Sequence, residues 1–157
     1  MRLRFALLTL PLWIALVAPA RAQCPAVSIG TYGQGCAIQF DVPGYKAGFD
    51  ATNCAIDFGY SGLPGCCNSF LTARVVMFGF QQASLPAPAI GPGCLLLLQP
   101  TIFAVLPANV TQLSAPIPSL PPGTSFVVYS QYLNQYTTFG VQNDYNASNG
   151  VAIKMAF

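Results

Sequence analysis

The chain has 157 residues, of which 54% are hydrophobic and only 6% are charged, and its formal net charge is +2. It contains no histidine and no glutamate, the side chains on which general acid–base catalysis most often depends, so most hydrolase mechanisms lack a necessary group. The positive charge does not predict a nucleic-acid surface, because three of the six basic residues are Arg2, Arg4 and Arg21 at the N-terminus.

The N-terminus has the pattern of a secretory signal peptide. Its basic start is followed by a mostly apolar run and then by the small residues Ala20 and Ala22, which mark a cleavage site. We therefore expect residues 1–22 to be removed and residues 23–157 to form one domain. Three basic and four acidic residues would remain, a net charge of −1. The apolar run is too short to favour a membrane span.

The rest of the chain is a succession of short apolar segments that end at Gly, Pro, Asn or Ser, as β-strands and turns do. Residues 54–60 are apolar at alternate positions, whereas residues 70–80 are apolar on both faces, like a central strand of a sandwich. The predicted strands are residues 54–60, 70–80, 94–99, 101–106, 110–115, 124–133, 136–141 and 151–157. We expect about eight to ten strands in an all-β, antiparallel β-sandwich or jelly-roll-like single domain, braced by disulfides.

Turns and connectors are predicted from proline, glycine and asparagine. Residues 61–65 and residues 134–135 are expected to be turns. Residues 85–93 and 116–123 are rich in proline, which fixes φ and removes a donor, so both are expected to be extended connectors. We interpret the second as an edge segment or crossover rather than as a ligand for an SH3-like partner.

All six cysteines follow the expected cleavage site, and their even number predicts an oxidising compartment and up to three disulfides. They are Cys24, Cys36, Cys54, Cys66, Cys67 and Cys94. A structural zinc site does not fit, because the chain has no Cys-x-x-Cys pair and no histidine. The adjacent Cys66 and Cys67 could form a strained ring with a redox role. We favour the alternative that each meets a different partner, since successive residues of a strand point to opposite sides.

The late strands carry a candidate ligand site. Tyr129, Tyr132 and Tyr136 could form an aromatic platform for sugar rings, with Gln131 and Asn134 as partners for the sugar hydroxyls. The alternative, which we favour, is that the rings fill the edge of the sandwich with their hydroxyls in water. Carbohydrate binding at these residues is therefore the second hypothesis.

Residues 143–150 are the densest polar stretch. Asp144, Asn146 and Ser148 have the alternate spacing of oxygen ligands in a calcium loop. However, the glycine comes one position late and no acidic residue closes the loop, so we predict a polar hairpin turn instead. We predict no other metal site and no cofactor.

The C-terminal segment has a second interpretation. Val151, Ile153, Met155 and Phe157 alternate with other residues, as in the closing strand of an outer-membrane barrel. Most other predicted strands are short and do not alternate, and six cysteines suit such barrels poorly. We therefore predict a terminal strand of the sandwich.

The order of several weak motifs resembles that of a known group of proteins. The motifs are Tyr32-Gly33-Gln34-Gly35-Cys36, then Gly91-Pro92-Gly93-Cys94 before a Leu-rich strand, and Ser148-Asn149-Gly150 before the last strand. In this order they resemble the secreted β-rich modules of planctomycete and related bacterial proteomes. The resemblance implies a secreted β domain and a Cys36–Cys94 disulfide, and no particular activity. Because it also implies a bacterium, the glycosylation sequons at Asn109 and Asn146 are expected to be unused.

Together these patterns predict a secreted, non-catalytic structural or interaction module in the extracellular space or at the cell surface, with the periplasm as an alternative. Its partner would be a surface protein or a glycan, and neither nucleic acid nor, after cleavage, a membrane is expected. A carbohydrate-binding module is the alternative function and an outer-membrane barrel the third. Catalysis would have to depend on Asp side chains or on a reactive Cys.

Overall fold

The computed structural model describes residues 24–37, 42–62, 69–138, 140 and 142–157. This part of the chain is all-β, as predicted, and contains no helix. No helix long and apolar enough to span a membrane is therefore found in it. Its eleven strands are β1 (Ala26–Tyr32), β2 (Tyr45–Asp50), β3 (Ala55–Tyr60), β4 (Ser69–Gly79), β5 (Gln82–Pro86), β6 (Leu95–Leu98), β7 (Ile102–Pro107), β8 (Gln112–Pro116), β9 (Ser125–Thr138), β10 (Gln142–Ala147) and β11 (Gly150–Ala156).

The strands form two sheets and a separate ribbon, and every strand pair is antiparallel. The large sheet has six strands, five in the order β1-β11-β9-β4-β7 and β10, which pairs with β9 outside this order. The long β9 pairs with β11 along its first half and with β10 along its second half. The small sheet has the order β2-β3-β8, and the ribbon pairs β5 with β6. Strands β1 and β7 thus end this order, and β10 lies on the β1 side of the sheet, beside the second half of β9.

The main core lies between the large sheet and the small sheet. In β3 the side chains of Ile56, Phe58 and Tyr60 are buried while Asp57 is exposed, which is the predicted alternation. The buried residues of this core are Tyr45, Ile56, Phe58, Tyr60, Val76, Tyr132, Val151, Ile153 and Met155. Because burial of a large apolar side chain contributes about 1.5–3 kcal/mol, this layer is the main source of stability.

A smaller apolar cluster lies where the ribbon loop meets β10. It contains the buried residues Ala87, Ile90, Cys94 and Ala147. The ribbon therefore covers part of the large sheet on the side away from the small sheet.

The disulfides brace both ends of this arrangement. Cys24 is bonded to Cys54, with 5.4 Å between their Cα atoms, and this bond joins the start of β1 to the turn before β3. Cys36 is bonded to Cys94, with 5.6 Å between their Cα atoms, which joins the segment after β1 to the start of β6. The second bond is the pair that the resemblance implies. Cys66 and Cys67 lie outside the described residues, as do the predicted signal peptide and most of the predicted turn at 61–65.

Two turn predictions are wrong. β9 runs without a break through Asn134 and Gln135, because β4 on one side and β10 on the other both supply hydrogen-bond partners. The predicted polar turn at 143–150 is also wrong, since most of that stretch forms β10. Tertiary pairing overrides the turn propensity of asparagine in both places.

Some strands were not predicted, namely β1, β2, β5 and β10. Glycine and small or polar residues interrupt the apolar alternation in β1 and β2, and β5 runs into the proline-rich connector. The second connector, residues 116–123, carries the chain from β8 in the small sheet to β9 in the large sheet, so it is a crossover as predicted.

Candidate functional site

A β-bulge lies between β10 and β11, opposite the middle of β9. The strand register changes by one there, so that residues 148–150 face only Gln131 and Tyr132 of β9. Ser148 maintains the pairing: its N–H donates to the Tyr132 carbonyl at 2.9 Å, and its Oγ accepts from the Tyr132 N–H at 3.0 Å. The Gln131 side chain donates to the Ser148 carbonyl at 2.8 Å and accepts from the Leu97 N–H at 2.9 Å. The bulge and Gln131 together attach the ribbon to the large sheet.

The next two residues of the bulge connect the large sheet to its other neighbours. The Asn149 amide accepts from the Tyr45 N–H and donates to the Tyr45 carbonyl, both at 3.1 Å, as a paired strand would. Gly150 lies under the ring of Tyr32, where a Cβ would come within 2.4 Å of the ring atom Cζ. The contacts of these three residues account for the Ser-Asn-Gly motif. The side chains of Ser148 and Asn149 form hydrogen bonds, and the absence of a side chain at Gly150 leaves room for the Tyr32 ring.

The second hypothesis, an exposed tyrosine platform, does not fit the structure, and neither does the favoured alternative for Tyr132, whose hydroxyl donates to backbone carbonyls instead of lying in water. Gln131, Tyr132, Asn134 and Tyr136 are at most 1% exposed, and Tyr129 is half-buried. Even-numbered side chains of this part of β9 point toward the small sheet, while Gln131 points toward the ribbon. Both faces of the strand are thus covered, and these residues stabilise the interior instead of offering a surface to sugars.

The buried tyrosines form a compact aromatic cluster. The rings of Tyr45 and Tyr60 are stacked with their centroids 5.6 Å apart, and each meets the ring of Tyr132 edge-on at 5.1 Å. Such stacked and edge-to-face pairs are the favoured aromatic geometries.

The hydroxyls of the cluster differ in their hydrogen bonds. The Tyr45 hydroxyl is 2.6 Å from Ser130 Oγ, and the Tyr132 hydroxyl donates to the carbonyls of Gly44, at 3.0 Å, and Ser61. The Tyr60 hydroxyl is buried without a hydrogen-bond partner among the described residues.

The electrostatics of the cluster exclude an ionised tyrosine at neutral pH. Burial raises the pKa of Tyr60 to about 12, although the nearby charge of Arg74 opposes this shift. Burial raises the pKa of Tyr45 and Tyr132 further. Burial therefore keeps these hydroxyls protonated at neutral pH.

Arg74 is a buried cation with a structural role. It is 3% exposed, and its Nη1 donates to the carbonyls of Ala108 and Val110, the latter at 2.8 Å. These bonds attach the loop between β7 and β8 to β4. Its Nε and the Oδ1 of the facing Asn134 have no hydrogen-bond partner in the described part of the chain.

The residues of the suggested calcium loop do not form a loop. Asp144 and Asn146 lie in the extended strand β10 and Ser148 lies in the bulge, so the three side chains do not surround one point. Asp144 accepts from Thr138 Oγ1 at 2.7 Å, and Ser148 Oγ donates to the Asn149 carbonyl at the same distance. Within the described ranges, no group of three or more His, Cys, Asp or Glu side chains could hold a metal ion.

The outer face of the small sheet forms a shallow polar groove of about 610 Å³. Its polar lining side chains are Lys46, Asp57, Gln112 and Ser114. Gly59 lies between Lys46 and Gln112 on adjacent strands. Because Gly59 has no side chain, a gap of two strand spacings, about 10 Å, separates Lys46 from Gln112, and this gap is wide enough for a pyranose ring. This groove has no signature in the sequence, because the pairing of three separate strands creates it.

A second open surface is apolar and uncharged. No charged residue occurs between Arg74 and Asp144. Phe80, Ile102, Phe103 and Val105 lie in this stretch and are 55–70% exposed. The last three belong to β7, and Phe80 lines a small cavity with Thr101, the residue before β7. We call these four side chains the apolar edge.

The apolar edge could not be recognised from the sequence, although residues 101–106 were predicted as a strand. A continuous apolar run does not show which face of the strand is covered. The described residues thus present two open surfaces, the polar groove and the apolar edge.

No protein-family model, no curated protein and no solved structure matches the chain.

Proposed function

We propose that the protein is a secreted, non-catalytic interaction module that docks onto another extracellular component through its apolar edge. The observation that carries the proposal is the exposure of Phe80, Ile102, Phe103 and Val105 in a stretch without charged residues. Clustered exposed apolar side chains are typical of protein–protein contact sites, and charged residues are depleted at the centre of such sites.

The location outside the cytoplasm is supported by covalent chemistry. Two disulfides suggest an oxidising, extracellular-type environment. The signal-peptide pattern of residues 1–22 and the resemblance to secreted bacterial modules support export from the cell.

A non-catalytic role is supported by the placement of the ionisable groups. Arg74 and Asp144 are buried and hydrogen-bonded within the fold, and the buried tyrosines stay neutral. Of the exposed charged groups, Lys46 and Asp57 line the polar groove without a histidine or glutamate beside them, and Lys154 lies on the large sheet.

The proposal is tested by footprinting the protein in its native setting. Hydroxyl-radical labelling of the secreted protein in undisturbed extracellular material is compared with labelling of the purified protein at submicromolar concentration. We expect Phe80 and Phe103 to be protected in the native material while Phe70, which is 68% exposed at the start of β4, is labelled equally in both. N-terminal sequencing of the same sample should begin at Gln23. Equal labelling of Phe103 in both samples would overturn the proposal, as would a protein that keeps residues 1–22 and is found in the cytoplasm.

A second candidate function is the binding of a polyhydroxylated ligand in the polar groove. The groove offers an ammonium group, a carboxylate, an amide and a hydroxyl around a glycine floor, which are suitable hydrogen-bond partners for a sugar. This candidate site is separate from the tyrosines of β9 that the sequence suggested.

This candidate is tested on a glycan array. Binding by the wild-type protein should be lost in Asp57→Ala and Gln112→Ala, and it should be kept in Lys154→Ala, which removes an exposed charge on the large sheet. Because these positions are exposed, each variant should unfold at the wild-type temperature. An array without bound glycans would exclude the groove as a sugar site.

A further inference from the structure

The two edges of the large sheet are not equivalent. β1 forms one edge, and its most exposed positions are occupied by small or polar residues such as Ser28 and Gly30. β7 forms the other edge, and it exposes Ile102, Phe103 and Val105. An edge strand presents unpaired N–H and C=O groups to solvent, so β7 combines open backbone groups with large apolar side chains.

β7 lacks the features by which monomeric proteins block edge pairing. Such edges usually carry an inward-pointing charge, a lysine or a bulge. β7 contains no charged residue. It also contains no bulge, because its pairing with β4 is regular from Ala73 opposite Pro107 to Phe78 opposite Ile102. Its only proline is the last residue, Pro107, so the preceding five residues keep their N–H groups, and those of alternate residues point away from β4.

The sequence of β7 is complementary to itself in the antiparallel direction. With a two-fold axis at Ala104, Phe103 of one copy lies opposite Val105 of the other, and Ile102 lies opposite Leu106. Phe103 and Val105 are on the same face of the strand, so the axis places an aromatic and a β-branched side chain against each other twice, which is a favourable cross-strand pair. No charge of one copy faces a charge of the other along this strand.

The area is sufficient for a reversible dimer. The side chains of Ile102, Phe103 and Val105 each expose about 100 Å² of apolar surface. With the backbone of the strand, two copies would bury on the order of 1,000 Å², which is at the lower end of specific interfaces. Interfaces of this size are typical of weak, transient association.

We propose that the partner of the apolar edge is a second copy of this chain, which pairs β7 with β7 about a two-fold axis at Ala104 and joins two large sheets into one. This inference rests on the proposed function and specifies the partner.

The test is sedimentation of the purified, oxidised protein over a range from about 1 to 500 µM, compared with two matched variants. Val105→Glu introduces a charge at the proposed interface, and Ser28→Glu introduces the same charge at the opposite edge, where it faces Lys154. We expect the wild-type protein and Ser28→Glu to form dimers, and Val105→Glu to raise the dissociation constant more than tenfold. Because Val105 is 70% exposed, this variant should keep the wild-type circular dichroism spectrum and unfolding temperature.

Hydrogen exchange locates the contact in the same samples. Those amides of residues 102–106 that point away from β4 should exchange more slowly at high concentration, while those of β1 should not change. A protein that stays monomeric at the highest concentration, or a dimer that Val105→Glu does not weaken, would overturn the inference. Monomeric behaviour together with a protected apolar edge in the native footprint would leave the proposed function intact, with a different protein as partner.

Discussion

Two tyrosine-to-phenylalanine substitutions in the aromatic cluster should have different effects on stability. Both Tyr60 and Tyr132 are buried, both rings pack in the same cluster, and each substitution removes one hydroxyl. The Tyr132 hydroxyl donates to the carbonyls of Gly44 and Ser61, whereas the Tyr60 hydroxyl has no hydrogen-bond partner among the described residues.

The magnitude follows from the bonds that are lost. Tyr132→Phe leaves the Ser61 carbonyl without this donor, while the Gly44 carbonyl still accepts from the Ser61 N–H at 3.0 Å. Leaving one partly buried carbonyl unsatisfied and weakening a second bond costs about 2 kcal/mol of unfolding free energy. Tyr60→Phe removes a buried polar atom that makes no bond, so the unfolding free energy should stay constant or rise by up to about 1 kcal/mol.

Denaturant unfolding under non-reducing conditions measures both values. In a thermal melt, Tyr132→Phe should lower the midpoint by about 6–10 °C, while Tyr60→Phe should leave it constant or raise it slightly. Equal destabilisation by the two substitutions would refute the reasoning, because it would mean that the Tyr60 hydroxyl is bonded in solution.

Three further predictions concern a close contact, a disulfide and pH. Gly150→Ala should lower the unfolding free energy by about 1–3 kcal/mol, because the new Cβ would meet the ring of Tyr32 at 2.4 Å. Gly30→Ala, where a Cβ meets nothing within 4 Å, should change it by less than about 0.5 kcal/mol; equal effects would contradict the contact. Replacement of both Cys36 and Cys94 by Ser should cost about 4 kcal/mol in denaturant unfolding, since the bond spans 58 residues, and a loss under about 1 kcal/mol would exclude this account. Burial raises the pKa of Tyr32 to about 12, whereas in the unfolded chain the hydroxyl ionises near its ordinary pKa of 10.0. The contribution of Tyr32 to the unfolding free energy should therefore be fully present below pH 10 and decrease as the pH rises toward 12. An unfolding free energy, measured in urea, that does not decrease across this range would contradict the burial of the hydroxyl.

The sequence predicted the class of the fold and most of its strong strands. The segment at 54–60 and the C-terminal segment correspond closely to β3 and β11, because each has a clear period of two with one face buried. The prediction failed where local propensity and tertiary pairing disagree. Asn134 suggests a turn when only its neighbours are considered, but two adjacent strands hold it in β9.

The candidate surfaces were less accessible to prediction than the strands. The tyrosines of β9 were considered as a platform for sugar rings because their flat aromatic faces occur beside amide side chains in the sequence, yet the small sheet and the ribbon cover the two faces of that strand. The polar groove depends on Gly59 lying between Lys46 and Gln112, residues that are distant in the sequence. Neither arrangement has a local signature, because each results from contacts between separate strands.

The amino-acid sequence by itself determined that this is a β-rich, disulfide-braced domain, because period-two patterning, proline and glycine punctuation and an even number of cysteines act locally or through composition. Only the tertiary structure decided which side chains are inside. An alternating or wholly apolar strand has two faces of similar chemistry, and its neighbours determine which face is buried. β9 is covered on both sides and hides its tyrosines, whereas β7 lies at an edge and leaves Phe103 and Val105 in solvent.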